Sequence, residues 1–451
     1  MTKITPYGGA NEIGGNKFLL EDKDAKIYLD FGQSFDFGKD YFYEYLQPRT
    51  ANGLEVYFEF NLIPKVPKLY SREMLRFTNL KYQKPDVDAV FISHSHADHT
   101  DHLPFLDESI PIYMGHGTKA IMDAYQKLFP GLLDYGEHEH IHLFKSGDRI
   151  KVKHLEITPV HVEHSIPGAY GFIIRTSAGN LVYTGDLRMH GPKRALTEEF
   201  IKKAAAAKPI ALLCEGTRMG HEEDHNYTEE EVGKKIQDIV RASKGTAFVY
   251  FSMSNVDRFN SVYQAAEKNQ RIMVVDTRLA YLMDALKDII PYPDPLKDKH
   301  IMVYYRLAKT REFVEKDYAP WEREYFPKKI TYNEIKKDPK KYIVCLGFYR
   351  LMELVYLLPK DADFIYSSSE HFLEGEENED MRIVWENWMK HFKIPFHKAH
   401  CSGHAPKSDI IRMIKQINPK TLIPIHTQWA GEFGKIHSQV IVPRRGEERF
   451  I

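Results

Sequence analysis

The stretch Phe91–Leu106, FISHSHADHTDHLPFL, places His94, His96, Asp98 and His99 within six residues, between the apolar runs DAVFI and LPFL. The run ending at Ile92 reads as a buried strand, so the polar cluster begins just past a strand end. His94 and His96 are two apart and point the same way on an extended segment. Asp98 and His99 follow as the chain turns, and one segment thus offers two pairs of ligands facing two adjacent metals. Imidazole and carboxylate suit Zn²⁺, with Mn²⁺ and Fe as alternatives. The competing reading is a polar loop rich in His by chance, and four such residues directly after a buried strand weigh against it.

Two later stretches extend the pattern. PVHVEHSIPGAYG puts His161 and His164 at the end of a strand, and LVYTGDLRMHG puts Asp186 after a strand and a glycine. Taken in order, H-x-H-x-D-H, a later His and an Asp after a strand resemble the metallo-β-lactamase superfamily. The resemblance implies an α/β fold, an αββα sandwich with the donors at strand ends. It further implies that His94, His96 and His164 hold one metal, that Asp98 and His99 help hold a second, and that Asp186 bridges both. His161 matches no ligand position and is expected to be structural. His102 is expected to cap the next turn, and the tract EHEHIH (137–142) to be one face of a surface strand.

The later chain resembles one branch of that superfamily. Glu215 in LLCEGTRMG, His404 in HCSGHAPKSD and His426 in LIPIHTQ are similar to motifs A, B and C of the β-CASP nucleases. The opening GGANEIGGNKFLLE, the stretch HSIPGAYGFIIRTSAGNLVYTGD and the SGH turn look closest to ribonuclease J. The resemblance implies a β-CASP domain at 195–393 inserted into a metallo-β-lactamase domain formed by 1–194 and 394–451. It also implies a metal-dependent ribonuclease that hydrolyses single-stranded RNA in a cleft between the two domains, through a hydroxide activated by two metals, Zn²⁺ or alternatively Mn²⁺. Asp98, Asp186, Glu215 and His404 would be catalytic. His426 would complete the second metal site, and a His there is typical of family members acting on RNA. Ser402, Gly403 and His404 would meet the scissile phosphate, with His404 as an alternative general acid. The chain departs from ribonuclease J in a longer segment at 35–88, in HTQ where HGE is usual, and in having too few residues after His426 for that family's further domain. A small-molecule ester, lactone or phosphodiester hydrolase would use the same cluster, but would need no second domain. A nucleic-acid-binding subunit without catalysis is disfavoured by the complete donor set.

Composition sets outer bounds. A chain of 451 residues can form two or three domains with large cores. The net charge of −1 supplies no overall field for nucleic acid, so binding must rest on local groups. Candidates are Arg188, Lys193, Arg194, Arg218, Arg258, Arg350 and Lys407, with Phe348 and Tyr349 as stacking residues for which core packing is the better default. Three cysteines give no disulfide framework. No hydrophobic leader or membrane-length apolar run is read, which predicts a cytoplasmic protein without membrane contact; a homodimer stays open. The first third reads as short strands interrupted at 35–88 by an irregular aromatic insertion. From about Thr197, helices such as TEEEVGKKIQDIVRAS alternate with strands such as RIMVVD, which predicts a parallel sheet.

Overall fold

A computed structural model describes residues 1–451 except 37, 44, 131–134, 137, 139, 221–226, 370–372 and 374–377. The described chain divides into two compact units, one formed by residues 1–189, 193–224 and 403–451, the other by 190–192 and 225–402.

The first unit is built on two sheets. One runs in the order Arg449–Phe450, Thr2–Gly8, Lys17–Asp22, Ala25–Leu29, Ala89–Phe91, Ile112–Gly115 and Ile141–Phe144. The other runs Thr421–Ile425, Ala211–Glu215, Asn180–Tyr183, Tyr170–Arg175, Leu155–His161 and Ile150–Val152. Strand alternation divides the apolar residues between layers. Ile27 and Leu29 join Phe91, Phe172, Tyr183, Leu213 and Ile425 in the core between the sheets. Tyr28, between them in sequence, turns outward to meet Val90, Met114 and Met122. Met122 lies on the helix His116–Leu128, which covers that outer face. Helices Arg194–Ala206 and Lys407–Ile417 bury Phe200, Ile201, Ile410 and Met413 on the outer face of the second sheet. The result is the αββα sandwich. The irregular segment 35–88 is part of it: Leu54, Tyr57, Phe58, Leu69 and Tyr70 are buried in the outer cluster of the first sheet.

Strand direction concentrates chain ends. Asn180–Tyr183, Ala211–Glu215 and Thr421–Ile425 are mutually parallel. Leu155–His161 and Asn180–Tyr183 are each antiparallel to Tyr170–Arg175, so they share one direction. Four strands of the second sheet therefore finish at the same edge, where segments after them can meet.

The second unit holds seven parallel strands in the order Lys329–Ile330, Ile301–Tyr304, Ile272–Asp276, Tyr342–Cys345, Ala247–Tyr250, Asp363–Tyr366 and Phe396–Lys398. Parallel strands buried on both faces read as continuous apolar runs, as in IMVVD and YIVC. Helix Glu229–Ala242 starts at a capping box, with Thr228 accepting from the Glu231 N–H and the Glu231 carboxylate accepting from Thr228.

The expected domain limits at 195 and 393 differ from this division. Sequence type identifies a helix and a strand at 194–215 but not the sheet they join. Helix Arg194–Ala206 packs on the second sheet of the first unit, and Ala211–Glu215 pairs between two of its strands. At the other limit, Phe396–Lys398 pairs with Asp363–Tyr366 in the second unit.

Arg258 is fully buried in the second unit. It donates to Glu229 at 3.0 Å and to the Ser367 carbonyl at 2.7 Å. Removing one partner of a buried pair leaves the other charge poorly compensated. Glu229→Ala is expected to destabilise this unit by about 3 kcal/mol, seen as a lower urea midpoint by far-UV circular dichroism; an unchanged midpoint would contradict this account of the pair.

Candidate metal centre

Apart from His404, the candidate donors lie at or just after strand ends in the first unit. His94 comes after Ala89–Phe91, and His96 is the N-cap of the short helix Ala97–Thr100 that carries Asp98 and His99. His164 follows Leu155–His161, Asp186 follows Asn180–Tyr183, Glu215 ends Ala211–Glu215, and His426 follows Thr421–Ile425. His94, Asp98, His99, His164, Asp186, Glu215 and His426 are all buried.

The donors converge on Asp186. Its Oδ2 lies 3.1 Å from His99 Nε2, 3.7 Å from His94 Nε2 and from His426 Nε2, and 4.0 Å from His164 Nε2 and from His404 Nδ1. To one side, His96 Nδ1 stands 2.9 Å from His94 Nε2 and 3.2 Å from His164 Nε2. To the other, Asp98 Oδ2 stands 2.8 Å from His426 Nε2 and 3.4 Å from His99 Nε2. Three overlapping sets result: His94, His96, His164 and Asp186; Asp98, His99, Asp186 and His426; and Asp186, Glu215, His404 and His426.

These sets fit metal ions. Zn–N bonds of about 2.0–2.1 Å on a tetrahedral ion put neighbouring ligand atoms roughly 3.3 Å apart, close to the separations in the first set. Three imidazole nitrogens facing one another can share few protons, whereas a cation satisfies all three. Asp186 Oδ1 is buried without a hydrogen-bond partner among the described residues, an arrangement that a cation would relieve. Burial holds His94 and His164 well below the usual imidazole range and His96 down to about 4, so all three are neutral and able to ligate. Burial works to raise Asp98 and Asp186, but neighbouring imidazoles hold both carboxyls well below their ordinary value, His99 most for Asp98 and His426 most for Asp186.

A second ring of contacts fixes the donors. Asp30 Oδ2 faces His99 Nδ1 at 2.7 Å and accepts from Ser93 Oγ at 2.8 Å and Tyr183 OH at 2.6 Å. Ser93 N–H donates to Asp30 Oδ1 at 2.6 Å. Burial alone would lower His99, but Asp186, Asp98 and Asp30 together raise it well above its ordinary value. Thr217 Oγ1 lies 2.8 Å from His426 Nδ1 and donates to Glu215 at 3.0 Å. The backbone clamps the helix that carries Asp98: Asn16 N–H donates to Asp98 O, Phe31 N–H to His99 O and Gln33 N–H to Ala97 O. Gly32 lies so close that an added Cβ would overlap the backbone at Asp98 and His99.

The remaining candidates divide. Glu215 accepts from Leu187 N–H at 3.1 Å and holds His404 Nδ1 at 3.2 Å. Burial lowers His404, yet Glu215 and Asp186 outweigh it and raise the group to about 9. The Gly403 carbonyl faces His164 Nδ1 at 2.6 Å, while in the second unit the Ser402 carbonyl faces His190 Nε2 at 2.8 Å. His161 stacks on Tyr170, with ring centroids 4.7 Å apart. His102 makes no side-chain cap; it is buried beside Phe105 and Tyr57. The tract at 137–142 lies partly outside the described residues, and within it His138 is buried against the Leu103 carbonyl. Arg188 and Arg258 are fully buried beside Glu163 and Glu229, so neither can follow a nucleic-acid backbone. Lys193 and Arg194 are exposed, and Lys407 pairs with Glu432 and Arg350 with Asp276. Phe348 packs on Trp385, whereas Tyr349 stands 86% exposed, contrary to the core packing expected of it. Asp30 and Thr217 escaped the sequence reading; the one signal was an acidic residue directly after the strand in KIYLDFG.

Comparison with known proteins follows the same lines. Residues 66–237 match a family described as the beta-lactamase superfamily domain, and residues 396–432 match one described as the Zn-dependent metallo-hydrolase RNA specificity domain. The chain thus carries a metallo-β-lactamase superfamily domain and is similar to ribonuclease J. It is 23% identical to ribonuclease J of Helicobacter pylori strain 26695 over 98% of its own length and 58% of that protein. It is 24% identical to ribonuclease J of Thermus thermophilus, over 94% of this chain and 68% of that one. The chain thus spans less than two thirds of the Helicobacter relative. A solved structure of a protein of unknown function from Enterococcus faecalis V583 shares the fold, with a TM-score of 0.77 and 24% identity over 99% of each chain.

Ligand orientation should depend on Asp30. Asp30→Asn is expected to weaken metal binding by about 10- to 100-fold in competition with a chromophoric chelator, with the far-UV spectrum retained. Unchanged affinity would remove Asp30 from the site.

Proposed function

We propose that this protein is a metal-dependent hydrolase of RNA phosphodiesters, acting on single strands with two divalent ions, Zn²⁺ first and Mn²⁺ as the alternative. The observation that carries the reading is the position of Asp186, whose Oδ2 lies between the His94–His96–His164 set and the Asp98–His99–His426 set. RNA as substrate is supported by the RNA specificity domain match, which contains His404 and His426, and by the ribonuclease J relatives.

In this reading His94, His96 and His164 hold one ion, Asp98, His99 and His426 hold the other, and Asp186 serves both. Paired ions supply a water activated near neutral pH and neutralise charge on the phosphate. The protein's own groups do the rest. Asp98 and Asp186 orient the water on the phosphorus. His404, held through Nδ1 by Glu215 and Thr217, gives a proton to the leaving oxygen. Gly403 sets the placement of His164 through its carbonyl, and a Cβ there would crowd His164 Cε1 at 3.0 Å. The Ser402–Gly403 turn is the proposed phosphate contact. Lys193 and Arg194 are the exposed cations available to the backbone.

The test is a matched assay on single-stranded RNA, single-stranded DNA, and small lactone and phosphodiester substrates. Wild-type protein should cleave RNA in a metal-dependent manner. Asp186→Asn should abolish cleavage with its circular dichroism intact. His404→Ala should lower kcat by about 10²- to 10⁴-fold while metal content holds. Preference for a small molecule without RNA cleavage would overturn the reading, and equal rates on DNA and RNA would remove the substrate class.

A further inference from the structure

An exposed aromatic ring, Phe35, lies beside the donor cluster at the start of a segment with further exposed rings, and the metal chemistry makes no use of it. The loop that leads to it lies against two of the ligands. The Gly9 carbonyl accepts from His426 N–H at 2.8 Å, and Asn16 N–H donates to the Asp98 carbonyl at 3.0 Å. Between them, Gly14 bridges to Ser34. A Cβ built on Gly14 would stand 2.8 Å from Asp98 Cβ and 2.9 Å from the ring of Phe35. Both side chains therefore crowd the same point over Gly14. Asp98 is buried, while Phe35 is 61% exposed. Tyr41, Tyr43, Tyr45 and Leu46 follow in the same segment, all exposed, and Tyr45 is 99% so. Tyr41 is braced by Phe60, with centroids 4.7 Å apart.

Large exposed rings gathered in one segment mark a surface that binds something. The occupant can be chosen from charge and place. Residues 35–88 carry eight Lys or Arg and eight Asp or Glu, so the segment has no net field for phosphates. An aromatic face without charge attracts flat, uncharged rings, and nucleobases stack on such faces with little regard to sequence. Phe35 also sits beside a residue of the donor cluster, where a substrate strand must arrive. A protein partner would account for the exposed rings but not for that adjacency.

We propose that Phe35, continued by the exposed tyrosines after it, is a stacking surface for bases of single-stranded RNA next to the donor cluster; this rests on the RNA-hydrolase reading above. Phe35 is then a binding residue that sets base dependence, and it takes no part in proton transfer. Its contribution is insensitive to salt, because no counterion is released when a base stacks.

The metal-replete protein tests this with Phe35→Ala, Phe35→Trp and Tyr45→Ala, using a single-stranded oligouridylate and the same backbone with abasic residues. Phe35→Ala should lose about tenfold in kcat/KM on the oligouridylate, carried by KM, with metal content and the slope of log KM against log salt unchanged. Phe35→Trp should keep the wild-type KM, and Tyr45→Ala should show a smaller loss of the same kind. On abasic RNA, wild type and Phe35→Ala should be equal. RNA cleavage with an unchanged KM in Phe35→Ala, or the same loss on abasic RNA, overturns the stacking surface and leaves the hydrolase reading standing. A changed sedimentation mass with unaltered KM assigns the surface to protein contact and likewise overturns it. Failure of the wild type to cleave any RNA removes the hydrolase reading, and this inference with it.

Discussion

Asp186 is a buried carboxylate with five imidazole nitrogens within 4.0 Å of one oxygen and, among the described residues, no hydrogen-bond partner on the other. Few constellations are so costly to assemble, because each buried polar atom left unpaired loses its hydration without return. The remaining features of the first unit serve to hold it. Four strands of one sheet end at a common edge and deliver His164, Asp186, Glu215 and His426 there. The other sheet delivers the His94–His99 segment, and the close approach allowed by Gly32 fixes its height. Asp30 then turns His99, and Thr217 turns His426. Divalent ions would resolve the electrostatic conflict that these contacts create.

Burial also sets the protonation states this chemistry needs. His94, His96 and His164 are stripped of water and kept neutral, as ligands must be. His404, a few ångströms away, is driven in the opposite direction by Glu215 and Asp186. Among the imidazoles, His94, His96 and His164 are thereby set apart from His404 by burial on one side and by neighbouring carboxylates on the other.

Much of this was legible in the sequence, for a reason that can be stated. A ligand placed directly after an apolar run is visible as a pattern, and His94, Asp186 and His426 each have one before them. The helices and strands of the second unit were equally visible, since period and turn residues are local signals. Longer-range choices were not. Asp30 and Thr217 are single polar residues whose partners lie 69 and 209 positions away. The strand Ala211–Glu215 looks the same whichever sheet it joins, so the expected limits differ from the division into compact units. Arg188 and Arg258 look like candidate nucleic-acid contacts because a sequence does not show the buried Glu163 and Glu229 that receive them. The segment 35–88 has no period, yet its rings divide into a buried set that completes the outer core and an exposed set, of which Phe35 lies near Asp98.

In the proposed arrangement Asp186 stands between two cation sites. Crystals of metal-replete protein, with diffraction collected on both sides of the zinc absorption edge, test it most directly. The account predicts two anomalous peaks, one among His94, His96 and His164 and one among Asp98, His99 and His426, each within ligand distance of Asp186. A single peak, or none, in protein saturated with metal would contradict it.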